Sequence, residues 1–418
     1  MCGLEVNTST TDPRIFVRRN RMKQYIPAKQ LGIESLDLVE KPAAIENIGW
    51  TLGNDCPYGC KHCYSTIVRD RGRNLTLGDI DRIVGQLVSI GVKTVNLGGN
   101  EPIFTNGLNP ADTTLPYIIQ SLYDAGIIVG LTTAGISLVE LKKHYPESIA
   151  LLNDLDVSLD SPFAKEHNEN RGASLFRMAI KALQICVEHE LPHTIVMCGM
   201  SWNLSDEHID ALLGLARKHK SFVRINFIKP TECQHMELLP DRETYFRATE
   251  RLLAHTSGVI EMGEPLISAA TSYARKGCPC GTTSFRIHSI TPIGTVPVSP
   301  CVYMHDFKVG DLLTDDLADI INTPQFRAFR QRVNNPDRIN GCQGCSHIEY
   351  CRGGCAARSY LTKKFQTSKR DLFVRDPYCL KDEEASGKSP KIVGMKVTTI
   401  DSTRLVHQDY LCTLIIKP

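Results

Sequence analysis

The sequence predicts an α/β protein in which a partial (β/α)6 barrel is followed by a small cysteine-rich domain. Short apolar runs alternate with amphipathic segments from residue 47 to residue 265. Three clustered cysteines directly follow the first of these runs, and eight more cysteines lie between residues 278 and 379. Alternating strands and helices are typical of a parallel sheet with right-handed crossovers, and clustered cysteines are typical of metal sites.

The composition predicts a soluble enzyme. The chain has 418 residues, of which 42% are hydrophobic and 22% charged, as in ordinary globular proteins. A formal net charge of +2 indicates no electrostatic surface for nucleic acid or membrane. No apolar run is long enough to span a bilayer, and the first residues lack the pattern of a signal peptide. The 16 cysteines are therefore expected in the reducing cytoplasm, as metal ligands.

Six apolar runs are predicted to form the strands, at 47–53, 94–99, 126–133, 154–160, 194–199 and 223–228. Ile80, Ile83 and Leu87 fall on one face of the first helix. Thr76 is the predicted N-cap of that helix, and another clear helix is predicted over 205–219. Six strand–helix units suggest a partial barrel, with its chemistry at the C-terminal ends of the strands.

Polar side chains repeat at every second position on two of these strands. Asp156, Ser158 and Asp160 share one face of the fourth strand. Arg224 and Asn226 share one face of the sixth. Since alternate residues of a strand point to opposite faces, these groups are predicted to line a polar cavity inside the barrel. A solvated end of the barrel is the alternative for each of them.

Cys56, Cys60 and Cys63 form the motif C-x3-C-x2-C in a loop after the first strand. Three thiolates can bind three irons of a [4Fe–4S] cluster, which leaves the fourth iron open for another ligand. An open coordination position distinguishes a reactive metal site from a structural one. The alternatives are chance clustering and a zinc knuckle, for which no matching pair of ligands lies nearby.

This loop resembles the signature of the radical S-adenosylmethionine (radical SAM) superfamily. The resemblance implies that the three cysteines bind a cluster whose fourth iron is chelated by the amine and carboxylate of SAM. It also implies an electron donor such as flavodoxin or ferredoxin. One electron then cleaves SAM to a 5′-deoxyadenosyl radical, which abstracts a hydrogen atom from the substrate.

The resemblance extends to Gly98, Gly99, Asn100, Glu101 and Pro102 after the second strand, which are similar to the family's GGEP motif. It implies that the glycines let the backbone approach SAM and that Glu101 binds the SAM amine. Asn100 is an insertion or a replacement relative to that motif, so the alignment of the glycines is open by one residue.

Further positions resemble SAM-binding residues of the family. Ser158, in the segment SLDSP that also contains Asp160, corresponds to a serine that contacts the SAM ribose or carboxylate. Arg171 corresponds to an arginine that pairs with that carboxylate. His62 stands where relatives carry an aromatic residue whose backbone contacts adenine; a role as cluster ligand or acid–base group is the alternative. Asn226 is assigned to the same cofactor-binding cavity.

The cysteines of the last third resemble the SPASM domain, which carries two auxiliary clusters in a subset of radical SAM enzymes. One or two zinc sites are the alternative. Cys278 and Cys280 are closer in sequence than the matching pair of relatives, so one of them is a candidate bystander, which would leave an open iron for a substrate. Family order implies Cys278, Cys280, Cys301 and Cys355 for one [4Fe–4S] cluster, and Cys342, Cys345, Cys351 and Cys379 for the other.

Two of the remaining cysteines have predicted roles. Cys233 follows the sixth strand at the catalytic end of the barrel. Some radical SAM enzymes return a hydrogen atom to the substrate radical from a thiol near this place, which makes Cys233 a candidate for that catalytic role. A plain loop cysteine is the alternative. Cys186 lies on an apolar helix and is predicted to be a core residue.

Four segments follow from these observations: an N-terminal extension over 1–46, the radical SAM barrel over 47–265, the SPASM domain over 266–385 and a tail over 386–418. The extension is predicted to cover the barrel. The tail contains two strand-like runs, MKVTTI and YLCTLIIK, which suggest a terminal hairpin.

The resemblance implies a radical SAM oxidoreductase that modifies a peptide by a crosslink or thioether in natural-product maturation. Two full sets of auxiliary ligands favour removal of an electron from the substrate radical. The N-terminal segment is too short for the winged-helix peptide-recognition domain of many relatives, so dehydrogenation or epimerisation of an aminocyclitol, sugar or nucleoside is the rival. A non-catalytic iron–sulfur electron carrier is a third hypothesis, which leaves Glu101, Ser158 and Arg171 unexplained.

Overall fold

The computed structural model describes residues 25–33, 45–273, 277–385, 387, 389–401 and 404–418. Within these ranges, no helix combines the length and the apolar character that crossing a bilayer requires. The strands of the described residues are β1 (Asn47–Leu52), β2 (Thr94–Gly99), β3 (Ile128–Thr133), β4 (Asp154–Ser158), β5 (His193–Gly199), β6 (Phe222–Phe227), β7 (Gly258–Met262), β8 (Ser284–Ile287), β9 (Val298–Ser299) and β10 (Leu414–Lys417).

Helices follow most of these strands. They are α1 (Leu77–Ser89), α2 (Leu115–Asp124), α3 (Ile136–His144), α4 (Ala164–Arg171), α5 (Phe176–Glu188), α6 (Asp206–Lys218), α7 (Arg242–Ala254), α8 (Pro265–Ala270), α9 (Leu317–Ile320), α10 (Pro324–Asn334), α11 (Ile348–Cys351), α12 (Ala356–Thr367) and α13 (Leu380–Ala385).

The first six strands form the wall of a partial barrel. β1 to β6 are parallel and adjacent in chain order. Their apolar side chains pack against the surrounding helices in one large core, which includes the buried Cys186. The predicted α/β fold with a (β/α)6 barrel is therefore confirmed, and each predicted strand ends within two residues of the observed one.

The first helix, α1, has the N-cap and the buried face that its sequence predicts. Thr76 is the N-cap of α1 and accepts a hydrogen bond from the Asp79 amide at 3.2 Å, while the Asp79 carboxylate accepts one from the Thr76 amide at 2.9 Å. Such a cap is worth about 1 kcal/mol. Ile80, Ile83 and Leu87 are fully buried against the sheet, as their spacing predicts.

The cysteine-rich region continues the same sheet. β8 is parallel to β1, and β9 is antiparallel to β8. A fully buried arginine also joins the two regions, since Arg358 on α12 pairs at 2.7 Å with Glu264 after β7 and at 2.7 Å with Asp376. The two domains therefore share a sheet and a buried ion-pair network.

The C-terminal tail does not form the predicted hairpin. β10 lies antiparallel between β6 and β7, whereas residues 395–400 contribute only an isolated bridge between Val259 and Thr399. The apolar side chains Leu414, Ile415 and Ile416 are fully buried there. Because β6 would otherwise present unpaired backbone groups, an inserted strand satisfies them and buries more apolar surface than a separate hairpin.

Two glycines make room for the tail inside the barrel. A Cβ atom on Gly49 of β1 would lie 1.7 Å from the Tyr410 hydroxyl, and one on Gly130 of β3 would lie 2.9 Å from the Val406 Cβ. Glycine inside a strand marks the close approach of another segment. The tail upstream of β10 therefore crosses the interior of the barrel before it joins the sheet.

The prediction that residues 1–46 cover the barrel falls mostly outside the described residues. Residues 25–33 are described, and Leu31 and Ile33 there are buried in the apolar cluster of the cysteine-rich region, with Phe307 and Phe329. This part of the extension packs on the second domain.

Candidate active site

A cavity of about 1140 Å³ lies at the C-terminal ends of the barrel strands. The strands contribute alternate, polar side chains to it, such as Thr132 of β3, Ser158 of β4 and Asn226 of β6. The cysteine-rich region and the tail supply the remaining wall. The polar cavity predicted from strand alternation is thus present, and Asp156 lies next to it, where its carboxylate pairs with Arg224 at 3.0 Å.

The three clustered thiols all face this cavity. Cys56, Cys60 and Cys63 line it, and two tight turns shape their loop, with the Cys56 amide donating to the Gly53 carbonyl at 3.0 Å and the Cys63 amide donating to the Cys60 carbonyl at 3.1 Å. Burial raises the pKa of Cys60 to about 11. A thiolate at this position therefore needs a cation, which a bound iron would supply.

Glu101 is almost completely buried on the cavity wall, and the protein itself binds its carboxylate. One oxygen accepts hydrogen bonds from the Thr133 hydroxyl and from the amide and hydroxyl of Ser137, at 3.0 and 2.5 Å for the latter two. The other accepts one from the Ala134 amide at 2.8 Å. Burial raises the pKa of Glu101, and these hydrogen bonds oppose the shift. The carboxylate thus sits at the N-terminus of α3, where a negative charge is favoured.

Asp160 and Arg171 form a buried ion pair on the cavity wall. Arg171 Nε donates to Asp160 Oδ2 at 2.7 Å, and Asn170 donates to the same oxygen at 2.9 Å. Burial disfavours the ionised carboxyl, but Arg171 outweighs it and holds the pKa of Asp160 below its usual range. His62 lies 3.6 Å from the same carboxylate, and burial lowers its pKa. Through His62, the Asp160 carboxylate connects the cysteine loop to Arg171 at the end of α4.

Several polar atoms on the cavity wall have no hydrogen-bond partner within the described part of the chain. They are the amide nitrogen of Asn100, the amide oxygen of Asn226, and Nε and Nη1 of Arg224. Asn100 is held in place by its other atom, which accepts a hydrogen bond from the Ser65 hydroxyl at 2.7 Å. Because unpaired buried polar atoms are costly, they indicate that a polar ligand fills the cavity.

The two glycines before Asn100 differ in their position. Gly99 lines the cavity and has φ of +96°, and a Cβ atom there would lie 2.5 Å from Arg286 Nη2. Gly98 does not line the cavity; a Cβ atom there would lie 3.1 Å from the Thr132 Cβ. A side chain at 99 would therefore strain the backbone and displace Arg286, which donates to the Thr51 hydroxyl at 2.7 Å.

Cys233 begins a short 3₁₀ helix, Cys233–Leu238, after β6. It does not line the cavity, and it is disulfide-bonded in this structure. Its hydrogen-donor role stays a prediction, which now requires reduction and approach to the cavity. Cys198 on β5 lines the cavity instead.

The sequence did not predict several residues of the cavity wall. The tail is the largest omission, and the glycines at 49 and 130 were the available signal for it. The missed residues include Tyr64, Cys198, Lys229, Arg286, Val302, Tyr303, His407, Tyr410 and Leu411.

The auxiliary cysteines fall into two groups. Cys278, Cys280, Cys301 and Cys355 share one buried cluster. Cys342, Cys345, Cys351 and Cys379 lie close enough to act electrostatically on one another. No three His, Cys, Asp or Glu side chains of the described ranges converge on a position for a single metal ion, whereas an iron–sulfur cluster spreads its thiolates over several irons.

Arg332 organises the loops around the second group. Its guanidinium is fully buried and donates to the carbonyl oxygens of Leu372, Gly353 and Val374 at 2.9, 2.6 and 2.9 Å. A single cation thus holds the segments that carry Cys351 and Cys379. Buried carbonyl groups of loops lack the hydrogen bonds that strand pairing provides, and the Arg332 guanidinium supplies them here.

Comparison with known families agrees with this geometry. A model of the radical SAM superfamily matches residues 50–215, and a model of an iron–sulfur cluster-binding domain, SPASM, matches residues 278–346. The chain belongs to the radical SAM superfamily. It carries a SPASM domain, and its cofactors are SAM and iron–sulfur clusters.

Similar proteins are known by sequence and by structure. The mycofactocin maturase MftC of Mycobacterium ulcerans is 26% identical over 331 residues, which cover 75% of this chain and 83% of that protein. SuiB of Streptococcus suis bound to the precursor peptide SuiA has a TM-score of 0.58 at 15% identity and covers 91% of this chain and 84% of its own. The protein anSMEcpe with bound AdoMet has a TM-score of 0.61 at 16% identity, with 84% and 98% covered. The two structures show the fold alone.

The residues present fit these cofactors. Thiols alone form the donor sets, which is the chemistry of iron–sulfur ligands. The cavity beside Cys56, Cys60 and Cys63 is lined by charges of both signs and by polar atoms without a partner among the described residues, as a zwitterionic nucleoside such as SAM requires.

Proposed function

We propose that this protein abstracts a hydrogen atom from a peptide and modifies the peptide oxidatively in natural-product maturation. When bound, SAM and the cluster at the cysteine loop supply the 5′-deoxyadenosyl radical for that abstraction. The observation that carries the proposal is a cavity in which three thiols face buried polar atoms that have no partner among the described residues.

The walls of the cavity suggest how SAM is oriented. We assign the side-chain amide nitrogen of Asn100 as a donor to SAM, because that atom is buried without a partner among the described residues and its side chain is fixed by Ser65. Glu101, whose negative charge lies behind the same wall, attracts the SAM amine. Arg171 and Ser158, which also line the cavity, are assigned to the carboxylate or ribose, and Asp160 fixes the orientation of the guanidinium.

A peptide substrate is supported by the relatives and by the opening of the cavity to solvent. MftC is named a maturase, and SuiB was crystallised with a precursor peptide. The cavity is also open to solvent, since its volume of about 1140 Å³ includes solvent space, so a segment of a longer molecule can reach it from outside.

Net oxidation is the outcome that we favour, of the crosslink or thioether type. The support is the presence of two groups of auxiliary thiols in the cysteine-rich region, which together with the cysteine loop correspond to three [4Fe–4S] clusters. Fourteen of the described cysteines are free thiols. They favour a reducing compartment such as the cytoplasm, with flavodoxin or ferredoxin as electron donor.

The rival substrate is a small molecule such as an aminocyclitol, sugar or nucleoside. It is supported by the tail, since His407, Tyr410 and Leu411 form part of the cavity wall and limit its depth. Epimerisation or dehydrogenation would then be the reaction.

Hydrogen abstraction can be traced with deuterium. The reconstituted protein would be given SAM, dithionite and a peptide digest of perdeuterated protein, and a parallel sample would receive perdeuterated sugars and aminocyclitols. The proposal predicts that 5′-deoxyadenosine carries deuterium in the peptide sample. Deuterium transfer in the small-molecule sample alone would contradict the peptide assignment and support the rival.

A further inference from the structure

A fifth thiol lies among the four that family order assigns to the first auxiliary cluster. The Cys412 sulfur is 3.3 Å from the Cys278 sulfur, and it also contacts the thiol of Cys355. Cys280 contacts the thiols of Cys278 and Cys301. All five residues are buried in one cluster.

The path of the tail explains how Cys412 reaches this group. His407 pairs with Asp156 at 2.5 Å inside the barrel, and the Tyr410 hydroxyl accepts a hydrogen bond from Arg286 Nη1 at 3.0 Å. The Tyr410 carbonyl accepts another from the Ser284 hydroxyl at 2.6 Å. These contacts hold residues 407–410, directly before Cys412, to the barrel through His407 and to the cysteine-rich region through Tyr410. Beyond it, β10 anchors the chain in the sheet.

A buried ammonium lies at the same place. Lys229 is 3% exposed, donates to the Cys412 carbonyl at 3.3 Å and lies over the Tyr303 ring at 5.5 Å. Its charge also interacts with the Glu264 carboxylate and with the thiols of Cys355 and Cys412. A buried cation beside several thiols matches a site that becomes anionic when thiolates bind iron, because buried charges need a counter-charge.

We propose that Cys412 is a ligand of the first auxiliary cluster, and that one member of the pair Cys278 and Cys280 is not. Four thiolates complete a [4Fe–4S] cluster, so five clustered thiols leave one without an iron. This assignment also accounts for the unusually short spacing of that pair. It depends on the iron–sulfur domain and not on the proposed peptide substrate, so either can fail without the other.

The assignment links the cluster to the substrate cavity through adjacent residues. Leu411 lines the cavity and Cys412 is the next residue in the chain. The tail is therefore both a wall of the cavity and a support of the cluster. Loss of Cys412 as a ligand is therefore expected to disturb the cavity wall at Leu411.

Substitution of Cys412 tests the proposal when the cluster at the cysteine loop is removed. In a chain with Cys56, Cys60 and Cys63 changed to alanine, Cys412→Ala and Cys412→Ser are compared with Cys186→Ala, which removes a buried core thiol. Iron and sulfide are counted, and electron paramagnetic resonance (EPR) spectra of the reduced proteins are recorded with and without 2-mercaptoethanol.

The proposal predicts that both Cys412 variants change the spectrum of one of the two remaining clusters or lose about four irons. It predicts that 2-mercaptoethanol restores the original spectrum in Cys412→Ala by supplying a thiolate to the open iron. Iron content and spectra equal to those of Cys186→Ala would overturn it. Loss of all irons from both variants would also overturn it, because the thiol would then support the fold and not one cluster.

Single substitutions of the pair identify the fifth thiol. Cys278→Ala and Cys280→Ala are prepared in the same background. One of them is expected to behave like Cys186→Ala and the other like Cys412→Ala. If both change the spectrum of one cluster or lose about four irons while Cys412→Ala behaves like Cys186→Ala, the family order of ligands holds and the proposal is wrong.

Discussion

The barrel cavity and the cysteine-rich region hold their functional groups by different physical means. In the barrel, regular strands present alternate side chains, and Ser158 and Asn226 reach the cavity because of their register. In the cysteine-rich region, loops carry the thiols, and buried arginines such as Arg332 bind the loop carbonyls. The positions of the functional groups in the first region therefore follow from the periodicity of the strands, whereas those in the second region depend on contacts between distant residues.

The largest expected effect separates the two regions by their chemistry. Changing Cys56, Cys60 and Cys63 together to alanine should remove about four irons and abolish 5′-deoxyadenosine formation. Changing Cys342, Cys345 and Cys351 should also remove about four irons but leave SAM cleavage measurable. Iron analysis and chromatography of the reaction check both variants. A first triple variant that still makes 5′-deoxyadenosine would contradict the division.

Asp160→Asn tests the buried pair of the barrel. Because it leaves the Arg171 guanidinium buried without its carboxylate, we expect a loss of about 3–5 kcal/mol of stability. The urea midpoint, followed by circular dichroism, measures the loss. The double variant Asp160→Asn with Arg171→Met is the control and should recover part of it. If the single variant were as stable as the parent, the pair would not organise this wall.

Arg332→Met probes the corresponding support in the cysteine-rich region. It leaves buried carbonyl groups unpaired, each at a cost of about 1–3 kcal/mol. We expect iron loss confined to the second auxiliary group, with SAM affinity unchanged. The exposed Arg338→Met is the matched control. Weaker SAM binding in Arg332→Met alone would show that the two regions are not independent.

The smallest expected effect concerns a single hydrogen bond. Asn100→Ala should remove one donor to SAM, worth about 1 kcal/mol or roughly fivefold in affinity, without change of iron content. Calorimetric titration with SAM measures it. Asn106→Ala, at an exposed asparagine of the same loop, should leave the affinity as it is. Equal affinities in both variants would remove Asn100 from the site.

The features that the sequence predicted are local ones. The Thr76 cap, the six strands and the cysteine loop each depend on residues that are neighbours in the chain, and all are present. The alternation on β4 and β6 placed polar groups in the cavity because strand geometry fixes which way a side chain points.

The features that it missed depend on contacts between distant residues. The tail enters the barrel because Gly49 and Gly130 leave space for Tyr410 and Val406. The sequence around Cys412 contains no local pattern that predicts this path. The hydrogen bond from the Ser137 amide of α3 to Glu101 likewise joins segments that follow two different strands, β2 and β3. The hairpin prediction was wrong because an open sheet edge offered β10 a better partner than its neighbour in sequence.

We infer that SAM binds to the iron that Cys56, Cys60 and Cys63 leave open. Electron–nuclear double resonance of the reduced protein with SAM labelled by ¹⁵N in the amine and ¹⁷O in the carboxylate tests it most directly. We predict hyperfine coupling from both labels to the cluster. A protein with its full complement of iron that shows no coupling from either label would contradict the account.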